Sequence, residues 1–284
     1  MCKLGLTCLL ALLAPSAFAQ EAVSSGLHWP KLSGFWEVVV ADRYIYHGYV
    51  ADDHQPVVQP EAGFQAQFFE GNGWLTSVSF VFSAFNSIQF YDQGVSNHDQ
   101  PVRSWYEAQF EPGFAVVLAK DFTVTAKYIR FESPNGAFVS SNAIQLQLEI
   151  DDTRWLGALA LHPSLTWFAP IKIGTEAGSE EGHYFELGIE PEYTMNEKSK
   201  LPITVSLPVA LGLGDQHYYA GRHFGFFAAG VSVTVGLAFI PESFGKWSVG
   251  VSGTYYRLGR TSAEFTNGGD EHETLVAATL STDF

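Results

Sequence analysis

Eight glutamates stand at alternating positions within short stretches of apolar residues: Glu37, Glu61, Glu107, Glu111, Glu149, Glu186, Glu190 and Glu192. In Phe185-Glu186-Leu187 and Leu148-Glu149-Ile150 the neighbours on both sides are greasy, so each carboxylate belongs to the polar face of a segment with period two. The same parity carries the neutral Gln65, Gln67, Gln109, Gln145, Gln147 and His162, with Arg43 and Lys127 as the basic members. Carboxylates that outnumber cations on a water-lined wall attract cations and repel anions. In a narrow enclosure the same side chains can instead hydrogen-bond one another and fill the space. Both outcomes stay open at this level.

Other groupings offer less. Glu190 and Glu192 form an acid pair of the kind used in glycoside cleavage, yet neighbours on one strand face are first of all a solvated wall. His162 and Ser164 share the polar parity, and no Gly-x-Ser-x-Gly elbow accompanies them. His47, His54, His98, His183, His217, His223 and His272 fall in or beside polar loops. Imidazoles near carboxylates, as in Asp215-Gln-His217 or Asp270-Glu-His-Glu273, can hold zinc or copper, but no i, i+4 spacing supports a helical site. No catalytic residue, metal site or cofactor is assigned on these grounds.

The elements that must position these side chains read as strands. Ser33–Asp42 sets Trp36, Val38 and Val40 against Glu37; Glu61–Glu70 sets Ala62, Phe64, Ala66 and Phe68 against Gln65 and Gln67. Between them, 44–60 reads as a long polar loop. Gly71-Asn72-Gly73 is expected to turn with positive φ into Trp74–Asn86, and a loop over 87–102 leads to Tyr106–Val116. Lys120-Asp121 turns into Phe122–Tyr128, and Asp151-Asp152 turns Ala143–Ile150 directly into a strand over Trp155–Trp167. After a loop at 170–182 come Tyr184–Met195, Ile203–Val209, Phe224–Phe239, Trp247–Leu258 and the terminal Glu273–Phe284. This gives about twelve strands, an even number, as bacterial barrels require.

Composition narrows the class. Lys3, the apolar run Leu4–Ala14 and Ala17-Phe18-Ala19 form an export signal over 1–19, followed by a lead-in at 20–32 and one domain over 33–284. Both cysteines, Cys2 and Cys8, lie inside that signal, so the exported chain has no thiol chemistry. A net charge of −15 excludes nucleic-acid binding through phosphate neutralisation. Hydrophobic residues make up 46% and aromatics 15% of the chain, yet no mature stretch has the roughly 18 consecutive apolar residues of a spanning helix. Strands in lipid reconcile these facts, because only every second residue must be apolar.

The connections add independent evidence. Those at 71–73, 120–121, 151–153, 196–200 and 241–246 are short, and the alternating ones are mostly longer and more polar. Short periplasmic turns and longer extracellular loops are the arrangement of an outer-membrane barrel. Trp36, Trp74, Trp155 and Trp247 stand near the short-turn rim with the terminal Phe284, and Trp105 and Trp167 stand at the other rim, forming two interfacial girdles.

At this point the chain resembles the TorF-like family of porins, single-domain outer-membrane barrels. Three stretches carry the likeness: Asp42-Arg-Tyr-Ile-Tyr-His-Gly48; His162-Pro-Ser-Leu-Thr-Trp-Phe168 with Gly182-His-Tyr-Phe-Glu-Leu-Gly188; and Phe239-Ile-Pro-Glu-Ser-Phe-Gly-Lys-Trp-Ser248. The family tends to carry Arg where this chain has His47. The resemblance implies a barrel and a channel-like role without naming a solute. The expectation is therefore an all-β, closed antiparallel transmembrane barrel in a bacterial outer membrane. Its partners would be membrane lipids, the outer-membrane assembly machinery and small cationic or neutral solutes. A filled, structural or adhesive barrel is the alternative.

Overall fold

The computed structural model describes residues 30–53, 55–90, 104–171 and 182–284. The expected export signal, His54, His98 and most of the 87–102 and 170–182 loops lie outside them. Strands run in chain order as β1 (Lys31–Ala41), β2 (Tyr44–Tyr46), β3 (Tyr49–Asp52), β4 (Val57–Glu70), β5 (Leu75–Gln89), β6 (Trp105–Leu118), β7 (Phe122–Glu132) and β8 (Ser141–Ile150). They continue as β9 (Ser164–Ile171), β10 (Tyr184–Ile189), β11 (Glu192–Met195), β12 (Ile203–Ser206), β13 (Val209–Gly214), β14 (Phe224–Gly236), β15 (Lys246–Leu258) and β16 (His272–Asp283). Two short helices, α1 (Thr153–Leu156) and α2 (Arg260–Thr266), lie in connections.

All strands but β2 and β3 join one antiparallel sheet, and β1 pairs with β16 from Phe35↔Asp283 to Ala41↔Ala277, which closes the ring. Closure pairs the sheet strands on both sides, the arrangement a sheet in hydrocarbon needs, except at β11, whose one described ladder is with β12 because α1 and its following turn replace the neighbouring strand there. Segments β10 and β11 are two halves of one barrel strand, as are β12 and β13, giving the expected twelve. The breaks fall at Pro191 and Pro208, which have no N–H to give to a ladder. Leu207 N–H donates to the Pro191 carbonyl at 3.0 Å and Gly230 N–H to the Pro208 carbonyl at 2.8 Å, bridging both gaps.

Alternation sorts the two faces as expected. Val40, Phe64, Phe110, Phe114, Leu146, Leu187, Val231, Val251 and Val276 are exposed on the outer wall, while Glu37, Ser79, Ser83, Gln109 and Glu111 are buried within. No helix among the described residues is long and apolar enough to cross a membrane.

Four local expectations are corrected. The strand expected over Trp155–Trp167 begins only at Ser164; α1 and a 3-10 turn, Gly157–Leu159, precede it. Asp151 accepts the Thr153 N–H at 3.0 Å, and Asp152 accepts those of Leu161 and His162 at 3.0 Å each, so two carboxylates fold the segment into a turn. An apolar run of this length does not by its period separate helix from strand. At 71–74 neither Asn72 nor Gly73 has positive φ; the left-handed pair is Ala119 (φ 50°) and Lys120 (φ 73°), with Asp121 N–H donating to the Leu118 carbonyl at 3.2 Å. Finally, the expected loop over 44–60 contains the hairpin β2–β3, and β1 begins at Lys31, inside the expected lead-in.

Candidate functional site

The lumen is the one enclosed space whose walls carry the residues singled out above, and its two halves differ. At mid-height Glu37 stands opposite Glu61 across the β1–β4 ladder. Glu111 accepts from Ser83 Oγ at 3.1 Å and from Lys127 Nζ at 2.9 Å. Gln65 donates to Ser79 at 2.8 Å. Toward the short-turn rim, Gln67, Gln145, Gln147, Glu149, Glu190 and Glu192 are half-buried along the inner faces of β4, β8 and β11 and the break between β10 and β11. This half is polar and reaches water.

The extracellular half is filled. The hairpin β2–β3 leaves the end of β1 and packs its rings inside the barrel; Tyr44, Ile45 and Tyr46 are each 3% exposed or less. Its turn is His47 (φ 45°) and Gly48 (φ 79°), two left-handed residues in a two-residue hairpin with Tyr46 paired to Tyr49. Gly48 is required twice, because a Cβ there would meet Phe226 Cδ1 at 2.8 Å.

His47 sits in a cage of rings. It stacks on Tyr46 and Tyr184 with centroids 3.7 Å away on each side and meets the edge of Phe168 at 5.2 Å. Its Nδ1 is hydrogen-bonded to the Tyr218 hydroxyl, and the Tyr219 hydroxyl donates to its carbonyl at 2.8 Å. Tyr49 returns a bond to the Tyr218 carbonyl at 3.1 Å. Burial holds the imidazole well below its usual pKa.

Three further connections complete the plug. The 215–223 loop is shaped by Asp215, whose carboxylate accepts N–H bonds from His183, His217 and Tyr218 at 2.9–3.0 Å. Burial pushes that carboxyl up, yet these donors hold it below the ordinary aspartate value. Phe138 packs on Tyr106 at 5.4 Å, and α2 buries Thr261, Ser262 and Ala263 over β3, where Thr266 Oγ1 accepts the Val50 N–H at 2.9 Å. From the barrel wall Ile129, Phe131, Phe168, Tyr184, Phe226, Tyr256 and Leu258 pack against these segments.

The structure therefore divides the expected pore-lining set. Glu107 is fully buried, bonded to Gln109 at 2.7 Å and reached by the Tyr44 hydroxyl at 3.3 Å, so it lies behind the plug instead of on a water path. Glu186 is tied to the Tyr184 hydroxyl at the floor of the plug. Arg43 lies beyond β1, ion-paired to Asp42 at 3.1 Å and to Glu273, so its charge is neutralised at the rim. His162 stands in the turn before β9 at φ 47°, 4.0 Å from both Asp151 and Asp152.

The plug residues were not in that set. A visible signal was present in Tyr44-Ile-Tyr-His-Gly-Tyr49, where alternating rings flank a glycine. Asp52, Asp53, His54 and the two prolines that follow give 44–60 as a whole a loop-like composition.

The loop histidines find separate partners. His183 accepts from Trp167 Nε1 at 3.2 Å, His223 bonds the Gly214 carbonyl at 3.0 Å, and His272 bonds the Tyr255 hydroxyl at 2.6 Å. Among the described residues no three His, Cys, Asp or Glu side chains gather as metal ligands. The rim aromatics stand at two levels. Trp36 meets Trp247 at 6.1 Å, Trp155 packs on Phe122 at 5.9 Å, and Trp74 and Phe284 are exposed beside the short turns. Trp105, bonded to Asn86 at 3.1 Å, and Trp167 stand near the long loops.

A closed ring with an apolar outer wall and a polar inner one is built for hydrocarbon outside and water inside. The chain is an outer-membrane β-barrel.

No family model and no curated protein sequence matches it. Among solved structures it is similar to the NanC porin, at 14% identity over 87% of this chain and 98% of that one, with a TM-score of 0.44. It is also similar to the COG4313 outer membrane channel from Pseudomonas putida F1, at 9% identity over 94% and 100% of the two chains, with a TM-score of 0.49. The beta domain of the Bordetella autotransporter BrkA gives 10% identity over 88% and 98%, with a TM-score of 0.47.

Proposed function

We propose that this barrel is a diffusion channel for small cationic or neutral solutes, closed at its extracellular end by the β2–β3 hairpin. The observation that carries the reading is a belt of charge, where Glu37, Glu61 and Glu111 at mid-height and Glu149 below them surround one described cation, Lys127. A carboxylate excess in a confined aqueous space lowers the energy of a cation there and raises that of an anion. A wall meant only to be packed would pair its charges or replace them, since unpaired carboxylates repel.

The hairpin is the movable part. It enters no barrel ladder, so it can leave the lumen with every wall ladder intact, giving up the side-chain bond from Tyr44 to Glu107. The resemblance to TorF-like porins points the same way, and its first stretch, 42–48, runs into this hairpin. The tryptophans at both rims and Phe284 would anchor the barrel at the two interfaces. The strand ending at Phe284 is the segment offered to the assembly machinery.

The filled-barrel alternative draws on the same plug, whose deeply buried His47 cage is what a permanent closure would also need. Planar-bilayer recording separates the two. Replacing 44–52 with a short Gly-Ser linker is expected to give channels that pass potassium in preference to chloride, and Gln at Glu37, Glu61 and Glu149 together reduces that preference. A deletion variant that folds but passes neither ion, or prefers chloride, would sink the channel reading.

A further inference from the structure

On the extracellular rim of this acidic chain, three arginines converge. Arg222, Arg257 and Arg260 line a cavity of about 290 Å³ together with His223, Phe224, Leu258 and Glu271. The other described basic residues near that rim are neutralised locally: Arg43 by Asp42 and Glu273, Arg130 by Glu132 at 2.6 Å. In the cavity the pairing is looser. Glu271 stands 4.0 Å from Arg257, Glu264 takes only the Nε edge of Arg260 at 2.7 Å, and no ion pair of Arg222 occurs among the described residues. Two carboxylates against three guanidiniums leave positive charge over, with Arg257 and Arg260 each more than 60% exposed.

The position on the wall identifies the kind of anion. Arg257 follows Tyr255 on the outward face of β15, and its ladder partner is His272. Phe227, the β14 ladder partner of Arg257, and Tyr255, two residues further down β15, are 38% and 41% exposed on the same outer surface, with Phe224 at the cavity edge. Exposed rings surmounted by arginines match the layering of a membrane interface, with acyl chains below and charged headgroups above. Guanidinium forks suit the oxygens of a phosphate better than a point charge does, because they donate in pairs.

We propose that Arg222, Arg257 and Arg260 form a binding site for a phosphate group presented at the extracellular face of the membrane. The site lies outside the lumen and is independent of whether the lumen conducts. A membrane lipid headgroup and free phosphate share this chemistry, and the experiment tells them apart.

Purified full-length protein in neutral maltoside micelles is incubated with phosphatidic acid, with diacylglycerol or with inorganic phosphate, and bound species are counted by native mass spectrometry. The expected result is retention of phosphatidic acid but not diacylglycerol, weakened about tenfold or more in the R222Q/R257Q/R260Q variant. The corresponding triple Lys variant, which keeps the charge but not the paired donors, binds between wild type and the Gln variant, and heat-modified gel migration checks that each barrel is folded. Inorganic phosphate binding as tightly as phosphatidic acid, with the same arginine dependence, assigns the site to free phosphate. Equal retention of phosphatidic acid by wild type and the Gln variant overturns the proposal, as does equal retention of diacylglycerol.

Discussion

The upper and lower halves of the lumen are walled by the same twelve strands, yet one is packed like a protein core and the other is lined like a surface. Above, rings from three separate connections and from β7, β9, β10, β14 and β15 meet, and Tyr184, Tyr219, Ile129 and Leu258 are each 0% exposed. Below, the wall is polar: Glu37, Glu111, Ser79 and Ser83 are buried at mid-height, and Gln67, Gln147, Glu149 and Glu190 are half-buried toward the short-turn rim. A barrel of this girth cannot fill itself from its walls alone, because side chains reach inward only a few ångströms. Loop residues had to be folded in to close the top, and the bottom stayed wet. Burial contributes strongly to stability only where water is excluded, so in the proposed channel the plug would hold closure and the belt would be where charge acts.

That contrast can be broken or sharpened by substitution. Phe131→Ala or Phe168→Ala is expected to cost about 3–5 kcal/mol, as for a core ring. Thr123→Ala or Gln147→Ala in the lower half should stay within about 0.5 kcal/mol, as for a surface site. Unfolding in detergent, followed by heat-modified migration, reads both, and equal shifts would erase the distinction between the halves.

Gly225→Ala comes next. A Cβ at 225 would meet the Tyr219 ring at 2.0 Å, an overpacking of about 1–3 kcal/mol that falls on the ring bonded to the His47 carbonyl. Current through otherwise closed barrels should rise. Unchanged current would separate Tyr219 from closure.

Lys127→Met leaves Glu111 buried without its ion-pair partner, costing about 1–3 kcal/mol. In the hairpin-deleted background it should increase the preference for potassium over chloride, and reversal-potential measurements report the change. A shift toward chloride would be incompatible with the belt.

A pH effect on closure follows from His47. Its folded pKa lies below the model-compound value of 6.5, so a released hairpin binds a proton that the packed one does not. Closure is then complete above about pH 6.5 and weakens as pH falls below it. The groups facing the imidazole are the Tyr46, Tyr184 and Tyr218 phenols, with Glu186 behind Tyr184. Open probability should be greater at about pH 5 than at about pH 7.5, and His47→Phe should flatten the dependence. A profile unaltered by that change would remove His47 from the gate.

A smaller change in the plug comes from Asp215→Asn. An amide oxygen still accepts N–H bonds but without charge, so about 1 kcal/mol of loop anchoring is lost.

The wall was readable because a strand between lipid and water repeats its choice at every second residue, and many residues vote on each face. Trp155 shows where this stops. The run from Trp155 to Leu161 is apolar enough for a strand, but Asp151 and Asp152 bond backbone N–H groups and wind it into α1, a decision made by two side chains. Strand parity groups the belt glutamates with the polar face of their strands. Which of its members meet water was not readable, because Glu107 is bonded both by its strand neighbour Gln109 and by Tyr44, 63 positions away in sequence.

By itself the sequence determined the ring: the alternation, the strand number and the rim aromatics are local patterns with one compatible solution in a membrane. Tertiary structure alone decided the closure. Whether a polar-looking loop lies outside the barrel or folds within it depends on rings contributed by Tyr184, Tyr218, Tyr219 and Phe226, more than a hundred residues from His47, and no period along the chain records contacts of that range.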